Sequence, residues 1–290
     1  MKVFISFACL ALAAAVSAEV LAEEESPVYN YHMKFGIKEA ARIKAEENAI
    51  ISSERIVGGQ LTQIADTPYQ AGLVISVFVI FTSVCGASLI SNSRLITAAH
   101  CRFDGQTTTG AITVVLGSNF LFFGGTRISN VDLVMHPEWD PSTAQNDIAV
   151  MNLGNPVPFT VIQPIALPSS NELNNNFVGY SALASGFGRT SDSGSIGNNQ
   201  QLSSVTLTVI TNQVCAATYG PFVHASNICT SGEGGRGTCG GDSGGPLASE
   251  IQGVTTLLGI VSYGAQAGCA AGFPAAYARM TSFVNWVNSN

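Results

Sequence analysis

From residue 56 onward the sequence predicts an all-β fold, a barrel or sandwich rich in turns. Three observations carry this. Only 11% of the 290 residues are charged, 46% are hydrophobic and 30 are glycine, against about 25% charged residues in an ordinary globular chain. Short β-branched runs alternate with Gly, Asn, Ser and Pro turns beyond Ile56. Dense charge is confined to the part before Ile56.

The first element is a targeting segment. Lys2 supplies the positive charge, Val3 to Val16 is apolar, and Val16-Ser17-Ala18 offers small residues for cleavage. Residues 1–18 therefore read as a signal peptide, because the apolar run is shorter than the roughly 18 to 20 residues a membrane span needs. Residues 19–55 carry eight glutamates with Lys34, Lys38, Arg42, Lys44 and Arg55. That pattern suits a solvated, partly helical pro-segment. Residues 56–290 form the third unit.

Thr67 to Ser93 holds no charged residue, and Leu73 to Val84 is almost wholly apolar. Length alone would allow a membrane span. Its β-branched content (Val74, Ile75, Val77, Val79, Ile80, Thr82) points instead to two core strands. Near the end, Phe283, Trp286 and Val287 are spaced helically, so a short C-terminal helix is expected.

Seven cysteines are present, and Cys9 leaves with the signal. The remaining six, at 85, 101, 215, 229, 239 and 269, imply disulfides in an exported chain, with the pairing open. No Cys-x-x-Cys pair or histidine cluster favours a metal. Beyond Ile56 there are six arginines, eleven carboxylates and no lysine, a formal charge of −5. This excludes a basic face for nucleic acid. A surface whose cations are all arginine also keeps its charge in alkaline fluid, since lysine titrates near 10.4.

The chemistry concentrates in Gly241-Asp242-Ser243-Gly244-Gly245. The pattern G-x-S-x-G marks activated serines in more than one fold. In α/β-hydrolases a histidine follows the serine. Here all four histidines (32, 100, 136 and 224) precede Ser243, which removes that fold. A serine needs a base within hydrogen-bond reach. His100 ends an apolar strand beside Cys101, whereas His136 and His224 sit in polar, turn-like surroundings and read as surface residues. Asp147 opens the apolar run Ile148-Ala149-Val150, where a desolvated carboxylate could orient an imidazole.

Five segments in this order resemble the chymotrypsin family: Ile56-Val57-Gly58-Gly59, Thr97-Ala98-Ala99-His100-Cys101, Asn146-Asp147-Ile148-Ala149, Gly240 to Pro246, and Ile260-Val261-Ser262-Tyr263-Gly264. The resemblance covers residues 56–290, and within the family it points to insect (lepidopteran) midgut chymotrypsins and crustacean collagenolytic serine proteases. It implies two six-stranded antiparallel β-barrels with a short C-terminal helix. It implies His100 as general base, Asp147 as its orienter and Ser243 as nucleophile. Backbone N–H groups of Gly241 and Ser243 would form the oxyanion hole. Disulfides Cys85–Cys101, Cys215–Cys229 and Cys239–Cys269 follow by the same likeness. So does activation at Arg55-Ile56, with the new Ile56 amine pairing with Asp242. Ser262, Tyr263 and Gly264 would hold the substrate backbone, and Gly237, Gly264 and Ala275 would shape the side-chain pocket.

That pocket carries no charge, so large hydrophobic side chains are expected before the cut, with elastase- or collagenase-like preference as the alternative. Collagenolytic relatives keep an aspartate where Ala275 stands, which weakens the collagenase reading. No cofactor or metal is implied, since Gly105 to Val131 lacks the carboxylates calcium prefers. The expected protein is a monomeric secreted digestive enzyme of the gut lumen, with polypeptide substrates, an activating trypsin-like protease and protein inhibitors as partners. It would touch neither nucleic acid nor membrane. A regulatory or non-catalytic homologue is the rival, and the retained triad speaks against the latter.

Overall fold

A computed structural model describes residues 26–53, 63–190, 192 and 201–290. The signal peptide, the Arg55–Ile56 bond, the Ile56-Val57-Gly58-Gly59 start and most of the loop around Ser193 lie outside the described residues.

The apolar run from Leu73 to Val84 folds as expected into two strands, β1 (Gln70–Val77) and β2 (Phe81–Leu89), in register from Gln70↔Ser88 to Val77↔Phe81. The turn between them is Phe78-Val79-Ile80, with φ +48° at Phe78 and +67° at Val79. Such left-handed backbone normally calls for Gly or Asn, so no local signal marked this break. Strands β3 (Arg94–Thr97), β4 (Ile112–Leu116), β5 (Thr126–Ser129), β6 (Asp132–Met135) and β7 (Ala149–Asn152) complete a seven-stranded antiparallel sheet ordered β5-β4-β1-β2-β3-β7-β6. It curves as a half-barrel around Leu73, Ile75, Leu95, Ile96, Ile148 and Val150.

The second half is a closed barrel. Strands β8 (Ser181–Gly186), β9 (Ser203–Ile210), β10 (Asn227–Thr230), β11 (Pro246–Ile251), β12 (Val254–Tyr263) and β13 (Ala275–Arg279) close in the order β10-β13-β12-β11-β8-β9. Gln252 and Gly253 join β11 to β12 with φ +52° and +81°, the double positive φ of a tight hairpin. Phe177, Leu247, Leu258 and Tyr277 fill the interior. The two-barrel fold thus consists of one closed six-stranded barrel and one half-barrel.

Three α-helices among the described residues lie outside the sheets. A π-helical turn His32–Gly36 leads into α1 (Ile37–Ser53), α2 (Asn212–Tyr219) follows β9, and α3 (Met280–Ser289) ends the chain where its hydrophobic spacing predicts. No helix among the described residues is long and apolar enough to cross a membrane.

The expectation of a solvated N-terminal segment is corrected here. His32 and Glu47 are 0% exposed, and Glu39 and Glu46 are buried. Their charges are matched, which is what burial of an ion demands. Arg42 bridges Glu39 (2.6 Å) and Glu46 (2.8 Å), and Glu39 also meets Arg189 (3.0 Å). Glu47 accepts from the backbone N–H groups of Leu121 (2.5 Å) and Phe122 (2.8 Å). Ala40 and Ile43 pack against Val84, Val115, Leu121, Phe187 and Leu202. This second cover explains why β2 is buried on both faces from Ser83 to Leu89.

Candidate functional site

The cleft between the halves is assembled from loop ends that the sheets hold rigid. His100 sits in a 3-10 turn, Ala99–Cys101, directly after β3. The Cys85–Cys101 disulfide ties that turn to β2. Asp147 precedes β7, after Asn146 at φ +58°. One carboxylate oxygen accepts from the His100 backbone N–H at 2.9 Å, and the other faces His100 Nδ1 at 2.7 Å. An ionised carboxylate can only accept, so Nδ1 carries the proton and Nε2 presents a lone pair. Nε2 is buried and has no hydrogen-bond partner among the described residues. The Ser262 hydroxyl also donates to Asp147, at 2.5 Å. Sequence reading assigns Ser262 to substrate binding only; no local pattern marks a donor 115 residues from its acceptor.

Ser243 lies in a tight turn ahead of β11 and is 7% exposed. Its carbonyl accepts from Gly86 N–H at 2.6 Å, and Gly244 N–H donates to Val261 at 2.8 Å. Gly241 has φ +99°, and a Cβ there would stand 2.9 Å from the Gly188 Cα, so only glycine fits. Next door, Asp242 accepts from Gly188 N–H (2.8 Å) and Cys239 N–H (2.9 Å). Desolvation pushes its carboxyl up to about 6 despite those two donors. No described residue forms an ion pair with it. A cavity of about 250 Å³, lined by Gly188, Gly237, Cys239, Asp242 and Cys269 among others, borders this carboxylate.

The remaining predicted residues divide. Gly264, Ser262 and Tyr263 line the cleft in front of Ser243. Gly237 lines the cavity beside Asp242, with Cys269 carbonyl 3.3 Å from where a Cβ would sit. Ala275 is buried in the barrel interior with Leu207 and Tyr277 and lines neither. Cys239–Cys269 spans the cleft rim, and Cys215–Cys229 joins α2 to β10. His136 stacks on Trp286 at 4.9 Å and His224 faces the Thr143 carbonyl at 3.0 Å, both away from Ser243's turn.

Sequence reasoning missed two things. Asp192 accepts from Cys269 and Ala270 N–H (2.7 and 2.8 Å) and so braces the cleft rim. Tyr31 enters the cleft itself: its ring stands 4.7 Å from the His100 ring, edge-on, and its hydroxyl donates to Val84 carbonyl at 2.8 Å. The one available signal was the aromatic cluster Tyr29-Asn30-Tyr31-His32 ahead of a charged helix.

Comparison with known proteins gives concordant matches. A family model described as Trypsin matches residues 56–287. Brachyurin of Leptuca pugilator is 39% identical over 238 residues, 81% of this chain and 97% of its own. Collagenase of Hypoderma lineatum is 35% identical over 237 residues, 81% of this chain and 87% of its own. The solved structure of HL collagenase superposes with a TM-score of 0.71 at 35% identity, covering 81% of this chain and 98% of that one.

Proposed function

Since the chain belongs to the trypsin family of serine proteases, we propose that it is a secreted digestive endopeptidase acting by acyl transfer at Ser243. His100 Nε2 takes the Ser243 proton as Oγ attacks the scissile carbonyl. Asp147 holds the tautomer and stabilises the imidazolium. Backbone N–H groups of Gly241 and Ser243 stabilise the oxyanion, each worth about 3 to 4 kcal/mol. His100 then gives the proton to the leaving amine, and water, activated by the same base, releases the acid and restores Ser243. The observation that carries this reading is the buried His100–Asp147 pair at 2.7 Å, with Nε2 left without a hydrogen-bond partner among the described residues. Ser243→Ala should lower kcat/KM on peptides by at least about 10,000-fold with folding intact. A variant retaining more than a tenth of the activity would sink the assignment.

Residues 19–55 act as a pro-segment severed from the body by a trypsin-like cut at Arg55-Ile56. The unpaired Asp242 carboxylate beside its cavity supports this, for a carboxyl raised to about 6 by burial favours a cation. A free α-amine titrates near 8. Pairing raises that value, so the active state is stabilised fully below pH 8 and lost as pH rises through the raised one. Arg55→Gln should leave the chain uncut and inactive under trypsin.

Gly237 and Gly264 bring no charge to the cleft, which favours large hydrophobic side chains before the scissile bond. The enzyme works as a monomer, with protein protease inhibitors as competing partners. Cleavage profiling of the cut enzyme on a peptide library from neutral to alkaline pH tests the preference, and dominant cleavage after Arg or Lys would refute it.

A further inference from the structure

Three residues that reach the cleft, Pro27, Tyr31 and Phe35, precede the bond at Arg55. Tyr31 is the innermost. It lines the cleft with Gly240 and Ser243, in the turn whose groups a reacting carbonyl would use. Its ring covers the His100 imidazole. Pro27 and Phe35 line the cleft in front of Ser243 together with Tyr31. The Tyr31 ring that stands over His100 offers no carbonyl to attack, so it fills the site without reacting.

Anchors on either side fix the position. His32 N–H donates to Asp104 at 2.9 Å, and its Nδ1 pairs with Ser83 Oγ at 2.8 Å. Gly36 approaches β2 so closely that a Cβ would fall 2.0 Å from Ser83 Oγ. Further along, Glu39 holds Arg189, and Glu47 holds the Leu121 and Phe122 N–H groups. Cutting after Arg55 breaks none of these contacts.

We propose that residues 26–53 are a reversible inhibitor of the protease, seated by Tyr31 at Ser243 and His100, which stays docked after the Arg55–Ile56 cut and must dissociate before substrate enters. This rests on the protease reading and adds a second, non-covalent step to activation. Before the cut the tether gives the segment a high effective concentration; afterwards release follows dilution.

The test uses the full chain cut at Arg55-Ile56 alone by a limiting amount of trypsin that is then inhibited, with a fluorophosphonate as probe of Ser243. The wild-type chain should react at least about 10-fold more slowly at micromolar than at nanomolar concentration, because dilution frees the segment. Tyr31→Ala should react at the diluted rate throughout, since loss of a buried aromatic ring weakens docking by about 100-fold or more. Tyr31→Phe, which keeps the packing, should lie between. Equal rates for all three chains at every concentration would overturn the plug and leave the protease reading intact. Gel filtration of the cut Ser243→Ala chain reads docking without catalysis. Co-elution of the segment is expected, and its separate elution at micromolar concentration would overturn the proposal whatever the chain hydrolyses.

Discussion

Two terminal helices are docked on the same body by opposite means. Helix α3 buries Met280, Phe283 and Val287 among the half-barrel core residues, with Trp286 against His136. Helix α1 and the turn before it bury ions and polar groups as well: His32, Glu39, Glu46 and Glu47. Removing α3 would leave an apolar hole. Removing α1 exposes Arg189, Ser83 and the N–H groups of Leu121 and Phe122, all of which water can satisfy. Its apolar anchors are few, Ala40 and Ile43 on the helix and Tyr31 just before it. A polar interface is weak evidence for stability but suits a part meant to leave.

The comparison breaks most sharply at Phe283. Phe283→Ala should cost about 3 to 5 kcal/mol, read as a lower Tm in the intact chain and equally in the cut body stripped of its segment. A loss confined to the intact chain would erase the distinction between the helices.

Acid should act on the N-terminal side through His32. Burial holds His32 down at about 4, with Asp104 opposing and His100 reinforcing, while its ring faces Ser83 and Tyr31. A group depressed from about 6.5 contributes docking stability that is full above 6.5 and lost as pH falls toward 4, roughly 3 kcal/mol at the limit. Glu47 works against it. Burial raises its carboxyl to about 7, so its contribution is full below about 4.5 and lost as pH rises through 7. The His32 effect should therefore emerge cleanly in a Glu47→Ala chain, with release followed by fluorescence of Trp139, which packs beside Val28. A flat profile between pH 7 and 4 in that background would refute the assignment.

Glu47→Ala itself leaves two buried N–H groups without an acceptor and should weaken docking by about 1 to 3 kcal/mol, measured by urea-induced release. Lys34→Ala is the smallest change. The Lys34 ammonium stands 6.0 Å from the Tyr29 ring, and its loss should cost about 0.5 kcal/mol. A larger effect would place Lys34 among the anchors.

Much of the body was legible because its signals are local. β-branched runs marked β1 and β2, the spacing of Phe283, Trp286 and Val287 marked α3, and the position of every histidine before Ser243 decided between two folds. The pairings of Cys85, Cys215 and Cys239 came from likeness, and the structure shows the same three bonds. The N-terminal segment was misread because its partners are remote. Periodicity reveals the Glu39–Arg42–Glu46 ladder, but the acceptor role of Glu47 depends on N–H groups 74 and 75 residues away. The turn at Phe78 and Val79 was silent because it uses no turn residue, and the Ser262–Asp147 contact because no short window contains both.

Helix α1 has one more consequence. Ala40 and Ile43 rest on Val84, Val115 and Leu121 of the half-barrel and on Phe187 and Leu202 from the barrel side. The helix is thus a strap across the seam. Its seat does not exist until both halves have folded and met, so a docked segment reports correct assembly. The intact chain should unfold in one cooperative transition, and the stripped body, with that link gone, should let its halves separate at different temperatures.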